Sequence, residues 1–313
     1  MKTFEYGISR FVPFQDKEEA ERVRRIDYAD ICRHPNPDFR ISVVKDDEIA
    51  FLRIHDLFGR IKASDDEDRR LVMILPQPHP QYVKVAYLIN RYRVNCRNLY
   101  TFNMDEWADE NGNVAPETYP NGFMYAMLHN FYALIDEELR PPREQIRGPS
   151  NQNLGDYAKL MEDLGGVDLC DGGIGWSGHV AFIEPGAPEF EAETLEEWLQ
   201  MGPRIVTLTP FTIAQSCLDP DFGMSGDWAS VPPKAATIGP AQIVGAALRN
   251  SWNHFTVGNT DVSWQRFTVR LAAHGPVNSE CPASMLQTCR TNLYISEKIA
   301  RNIAADHTFS FYS

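Results

Sequence analysis

Two short segments of the chain hold residue types that can move protons. In Phe102-Asn103-Met104-Asp105-Glu106, two adjacent carboxylates follow a short apolar run and precede a polar, glycine-containing stretch. An Asp-Glu pair of arbitrary context is a solvated acidic turn, because exposed carboxylates are the default. Here the apolar Phe102 and Met104 flank it, and apolar neighbours desolvate a carboxylate and raise its pKa toward that of a usable acid or base. In the second segment Gly172, Gly173, Gly175 and Gly178 crowd together, which leaves backbone amides free to approach a ligand closely. His179 follows at once, with Glu184 a little further on. A lone His is more often structural than catalytic. One set in a glycine turn after an apolar strand, with an acid nearby to fix its tautomer, is a general-base candidate.

Such residues act only if the fold converges them. From Asp46 to Ile61 the apolar positions follow the three-to-four spacing of an amphipathic helix, ended by the charged SDDEDRR. Leu71 to Leu75 (LVMIL) is a short, wholly apolar run, the signature of a strand covered on both faces in a parallel sheet. The alternation then repeats, with helices expected at Pro80–Tyr92, Gly122–Leu139 and Asp156–Leu164 and strands at Leu99–Phe102 and Val167–Cys170. Three more strands are expected at 205–209, 254–258 and 292–296. Strands alternating with helices of this length imply right-handed crossovers and a parallel sheet. The expected fold is therefore α/β, an open, mostly parallel sheet with helices on both faces. Active sites of such sheets lie at the carboxyl ends of strands, where segments 102–112 and 171–186 both fall. Residues 1–40 are expected as an N-terminal extension and 41–313 as the α/β domain.

The chain has 313 residues and a formal net charge of −13. Clustered Lys and Arg, which carry affinity for phosphate backbones, are in deficit, so no nucleic-acid partner is expected. With 43% hydrophobic and 23% charged residues, it is a globular composition long enough to bury a large core. The six cysteines include no Cys-x-x-Cys pair, so neither a zinc site nor a disulfide framework is expected. Charges interrupt every apolar run well short of the ~18 residues of a membrane span, and the N-terminus shows no apolar signal-peptide core. The expectation is a protein of the cytoplasm with no membrane partner and no metal or cofactor.

Taken together, Phe102–Glu106, Gly172–Gly175 and Gly178-His179-Val180-Ala181-Phe182-Ile183-Glu184-Pro185 resemble the two signature segments of the glucosamine-6-phosphate deaminase/isomerase family. Arg204–Thr209 and Val231–Gly239 resemble its later segments, and order and spacing agree from about residue 45 to 300. The resemblance implies a fold of the deaminase and ribose-phosphate-isomerase kind. It implies an enzyme that opens a hexosamine phosphate ring, moves a proton between C1 and C2, and releases ammonia. By resemblance Asp105 matches the proton-shuttling Asp, with Glu106 beside it, His179 the ring-opening base, and Glu184 the carboxylate that orients that His. Gln77, His79, Gly173, Gly175, Ser177, Gly178, Arg204 and Arg266 are the substrate-binding candidates. Family members are commonly oligomers, so a homo-oligomer is expected.

Three departures from the family pattern bear on the ligand. Ser177 stands where the family has an Asp before Gly-His, and a hydroxyl supplies no negative charge to an imidazolium. After LVMIL the family's glycine turn is replaced by Pro76-Gln77-Pro78-His79-Pro80, in which proline has removed three amide donors for an anion. The family's phosphate Arg aligns near Cys217, its middle Lys at Val206, and its later Lys near Gln265 or Arg266, with an insertion expected at Asn259–Trp264. Arg204 and Arg266 are the cations left to hold a phosphate. The expected function is therefore ring opening and C1/C2 proton transfer on a sugar or amino sugar other than glucosamine 6-phosphate. The alternatives are a sugar-sensing protein that kept the fold, and a hydrolase of the 6-phosphogluconolactonase kind. Trp107, Tyr119 and Trp176 stand in or beside the two segments, either as faces for a sugar ring or as core.

Overall fold

A computed structural model describes residues 4–77, 79–258 and 260–303, so Pro78 and Asn259 lie outside the described residues. The strands, in chain order, are β1 (Phe39–Val44), β2 (Leu71–Leu75), β3 (Leu99–Asn103), β4 (Asp105–Ala108) and β5 (Ile146–Arg147). They continue with β6 (Leu169–Gly172), β7 (Arg204–Thr207), β8 (Lys234–Thr237), β9 (Leu248–Asn253) and β10 (Thr291–Ser296). Seven form one sheet in the order β1-β10-β9-β6-β2-β3-β5, and each neighbouring pair is parallel. Side chains alternate across a strand, and β2 shows the result. Val72 and Ile74 enter one hydrophobic core, with Phe102, Cys170 and Val269. Leu71, Met73 and Leu75 enter a second, with Leu57, Val85, Ile89 and Leu169. The open parallel sheet covered on both faces is thus the architecture expected from the alternation.

Three expectations are corrected. HFTVG at 254–258 is loop; the strand is β9, just before it. Its sequence LRNSWN reads as polar, yet its polar groups are buried and partnered: Asn250 Nδ2 donates to Asp56 and Asn253 Nδ2 to Ser251 Oγ. The helix expected at Gly122–Leu139 stops at Asn130. Phe131 leaves helical geometry and its ring stacks on Tyr82 at 5.0 Å. Segment 102–112 is not all loop, since Asp105–Ala108 is β4 of a second, antiparallel sheet ordered β4-β8-β7.

In the N-terminal segment the charged stretch forms a helix, Lys17–Arg24, capped by Asp16, whose side chain accepts from the Glu19 amide at 3.0 Å. Phe14, Val23 and Ile31 are buried in the same core as the helix Gln265–His274. Among the described residues no helix is long and apolar enough to cross a membrane.

Candidate active site

The chain turns away from β2 in both directions along the sheet: β3 lies on one side and β6 on the other. The carboxyl ends of β2 and β6 therefore border a crevice at a topological switch point, the usual site in such sheets. A cavity of about 280 Å³ opens there, lined by residues that include Gln77, His79, Asp105, Gly173, Gly175 and His179.

Asp105 reaches this cavity because two sheets meet at its neighbour. The Met104 amide donates to Leu75 O of the parallel sheet, and Met104 O accepts from the Ile238 amide beside the antiparallel one, both at 2.9 Å. Asp105, the first residue of β4, is thereby held at the seam. It is buried, and among the described residues its Oδ1 has no hydrogen-bond partner. Burial, then the neighbouring Glu106 charge, push its pKa well above the usual carboxylate range.

Glu106 points elsewhere. Its carboxylate accepts the backbone amides of Trp107 (2.9 Å), Phe123 (3.0 Å) and Met124 (2.7 Å), closing the start of the helix Phe123–Asn130. Burial lifts its pKa to about 7 against those three donors. The adjacent carboxylates of the sequence thus divide: Asp105 lines the cavity, and Glu106 is engaged by a helix end.

His179 sits in the glycine turn after β6, where the Gly175 amide donates to His179 O and the Gly178 amide to Gly175 O, each at 3.0 Å. Gly178 has φ +87°, and a Cβ on it would meet Cys281 Sγ at 2.8 Å, so its role is to shape the turn; it does not line the cavity. Ser177 Oγ and Thr212 Oγ1 lie 2.9 and 3.0 Å from His179 Nδ1. With Nδ1–H donating into these hydroxyls, Nε2 carries the lone pair. Glu184 does not touch His179 directly. Its Oε2 accepts from Thr209 Oγ1 at 2.8 Å, and burial raises its pKa to about 7 against hydrogen bonds from Thr212 and Thr209. Thr212 therefore links carboxylate to imidazole through a hydroxyl. Ala181, with φ +53°, is a non-glycine residue in the left-handed region on the cavity wall, and the next amide, of Phe182, is pinned by Thr237 Oγ1 at 3.1 Å.

A general base works best with a pKa near the operating pH, whereas burial lowers His179 to about 4. A group whose charged form is disfavoured stays neutral below its ordinary range. In a histidine-selective NMR titration from pH 8 to 3 the His179 imidazole should therefore stay essentially neutral down to about pH 5 and protonate with its midpoint near 4; a midpoint at 6 or above would contradict this placement.

The two cations expected to hold a phosphate are turned away. Arg204 donates to Gly202 O and to Glu189 O and lies over the Phe190 ring. Arg266 donates to Lys298 O at 3.1 Å and Asp261 O at 2.6 Å, while its neighbour Gln265 takes the cavity position. Cys217 and Val206 are buried. Among the described lining residues there is no Lys or Arg. The Arg53 guanidinium, whose charge acts on His79 of the turn, is buried in a pair with Asp171 at 2.6 Å, whose other oxygen accepts from Trp252 Nε1. After burial itself, the Arg53 charge helps hold His79 well below, and His254 below, the usual histidine range.

Other cavity residues carried little signal in the sequence. Trp107, Phe123, Phe182, Phe255 and Trp264 line it, and Trp107 packs on Phe123 and Phe182 with centroids 4.7 and 5.1 Å apart. Trp176 stands one layer back, stacked on Trp264 at 5.8 Å, and Tyr119 packs against the core without lining the cavity. Asp219 also lines it, its pKa raised to about 7 by burial and then Asp221. Among the described residues no group of three or more His, Cys, Asp or Glu is placed to hold a metal ion.

No protein-family model matches the chain. It is 29% identical over 262 residues to a glucosamine-6-phosphate deaminase of Aeromonas salmonicida, spanning 75% of this chain and 87% of that one. Over 207 residues it is 28% identical to the Caenorhabditis elegans glucosamine-6-phosphate deaminase, with 64% and 70% of the two chains covered. Among solved structures, a monomeric glucosamine-6-phosphate deaminase superposes with a TM-score of 0.63 at 21% identity, covering 84% of this chain and 98% of that chain. The 6-phosphogluconolactonase of Leishmania guyanensis superposes with a TM-score of 0.56 at 12% identity, over 85% and 98% of the chains. At these identities the two structures speak for the fold alone.

Proposed function

We propose that this chain, a divergent member of the glucosamine-6-phosphate deaminase family, is an enzyme that opens a sugar or amino-sugar ring and moves a proton between C1 and C2. The observation that carries the reading is one cavity lined by both Asp105, with an unpartnered carboxylate oxygen, and His179, whose Nδ1 is engaged by hydroxyls so that Nε2 is the nitrogen left to act. In this reading Nε2 takes the proton of the anomeric hydroxyl and delivers it to the ring oxygen as the bond between that oxygen and C1 breaks, which leaves an aldehyde at C1 and opens the ring. Asp105 then takes the proton from C2 and returns it at C1, a transfer one carboxylate can make along one face of the sugar. When C2 bears an amine, this transfer leaves an imine at C2, and water adds to it to give the ketone and release ammonia, as the names of the relatives suggest. Ser177 leaves His179 without a directly bonded carboxylate, so its imidazolium is supported only through Thr212 and Glu184.

Proton exchange at C2 in deuterated water tests the reading, because it needs a working acid/base and not a complete turnover. Across hexoses, hexosamines and their 6-phosphates, enzyme-dependent loss of the C2 proton signal is expected for at least one amino sugar. Binding without exchange would make the chain a sugar-binding protein. Hydrolysis of a sugar lactone without exchange would favour the lactonase alternative.

A further inference from the structure

Three polar side chains of the cavity wall take no part in the proton transfers above. Asp219 lines the cavity just beyond the helix Pro210–Ser216. His254 and Trp264 line it on either side of the loop that follows β9, and among the described residues His254 Nδ1 and Trp264 Nε1 are buried without hydrogen-bond partners. Leaving a buried polar atom unpaired costs free energy, so these two nitrogens mark where a ligand supplies the missing bonds beside Asp219.

The chemistry of the set restricts that ligand. An indole N–H only donates, and a carboxylate only accepts. A phosphate accepts from the indole but is repelled by Asp219 once that group is ionised, above pH about 7, and among the described lining residues no Lys or Arg offsets the repulsion. An ammonium donates to the carboxylate and has nothing to offer the indole. A hydroxyl does both. Trp264 packs against Phe255 and Trp176, with ring centroids 3.6 and 5.8 Å away, which fixes the direction of its N–H.

We infer that the part of the substrate seated against Trp264, His254 and Asp219 is an uncharged, hydroxyl-bearing end, so that the site selects an unphosphorylated sugar. The inference rests on the reading of this cavity as a sugar site and names the substrate class it takes.

Calorimetric titration at pH 8, where Asp219 is ionised, with D-glucosamine and with D-glucosamine 6-phosphate tests it on the full chain, its Trp264→Phe variant and its Asp219→Asn variant. Glucosamine should bind at least roughly tenfold more tightly than its 6-phosphate, the scale of one well-made hydrogen bond to a charged group. Trp264→Phe keeps a ring and removes the donor, and should weaken glucosamine binding by about tenfold. Asp219→Asn removes the repulsion and should narrow the preference. Should Trp264→Phe fail to fold, Asp219→Asn still decides. Tighter binding of the 6-phosphate, no binding of either sugar, or a preference unmoved by Asp219→Asn would overturn the inference. Glucosamine binding without C2 exchange would remove the catalytic reading and leave this one standing, whereas exchange confined to the 6-phosphate would do the reverse.

Discussion

Replacing Asp105 by Asn should lower C2 proton exchange by a factor on the order of 10² or more, the usual scale for loss of a positioned acid/base. The amide keeps the shape of the side chain and can neither take up nor return a proton. The carboxylate it replaces is buried, has an unpartnered oxygen and carries a raised pKa, a set of features that costs stability and persists where function requires it. The sign of the stability effect follows. A carboxyl whose folded pKa lies above its unfolded value stabilises the fold below the unfolded pKa, and that contribution is lost as pH rises through the folded value. Asparagine never ionises, so the variant should gain thermal stability relative to the parent as pH rises above about 4. Exchange within tenfold of the parent would end the assignment of Asp105 as proton carrier. A large loss of stability at pH 8 would mean that the carboxylate has a structural partner.

How far the sequence foretold this arrangement depended on what each residue does with its polar groups. β2 is apolar because both faces of the sheet are covered, and its run announced it. β9 did not announce itself, since Arg249, Asn250 and Asn253 are polar residues that donate to Val244 O, Asp56 and Ser251 Oγ, and the period of side-chain polarity says nothing about such bonds. Asp105 and His179 were legible from their neighbours, and the structure brings both to one cavity with Gln77, His79, Gly173 and Gly175. The separation of Glu106 from Asp105 was not, because it depends on a second sheet whose partners β7 and β8 lie about a hundred residues downstream. Arg204 and Arg266 drew attention as cations, yet a cation's use is set by the carbonyls within reach. Thr212 left one faint trace, the pattern Thr209-Pro210-x-Thr212 of a capped helix start, in which the Thr209 hydroxyl accepts from the Thr212 amide at 3.5 Å. Nothing in that pattern says that Thr212 also reaches His179.

Gly175→Ala should reduce exchange about as severely as His179→Ala, although it deletes no functional group. A Cβ at Gly175 would lie 1.9 Å from His179 Nε2, 2.2 Å from Cε1 and 2.5 Å from Cδ2, so alanine and the imidazole cannot share this space. Gly175 is not among the glycines at positive φ, so the backbone accepts alanine without strain and the whole conflict falls on the ring. The ring's escape is limited by its Nδ1 contacts to Ser177 and Thr212. Displacement breaks those bonds and moves Nε2 from the cavity wall, and a misplacement of about 1 Å is enough to cost on the order of 10² in rate. The turn itself should survive, since the bonds from Gly175 N to His179 O and from Gly178 N to Gly175 O are made by the backbone. A double variant separates the two effects: adding Gly175→Ala to His179→Ala should cost little further activity and restore room for the methyl group. If Gly175→Ala alone kept more than a third of the parent's exchange rate, the imidazole would have to work from a position other than the one against Gly175. If the double variant fell well below either single change, Gly175 would hold a role of its own, its amide meeting the ligand directly.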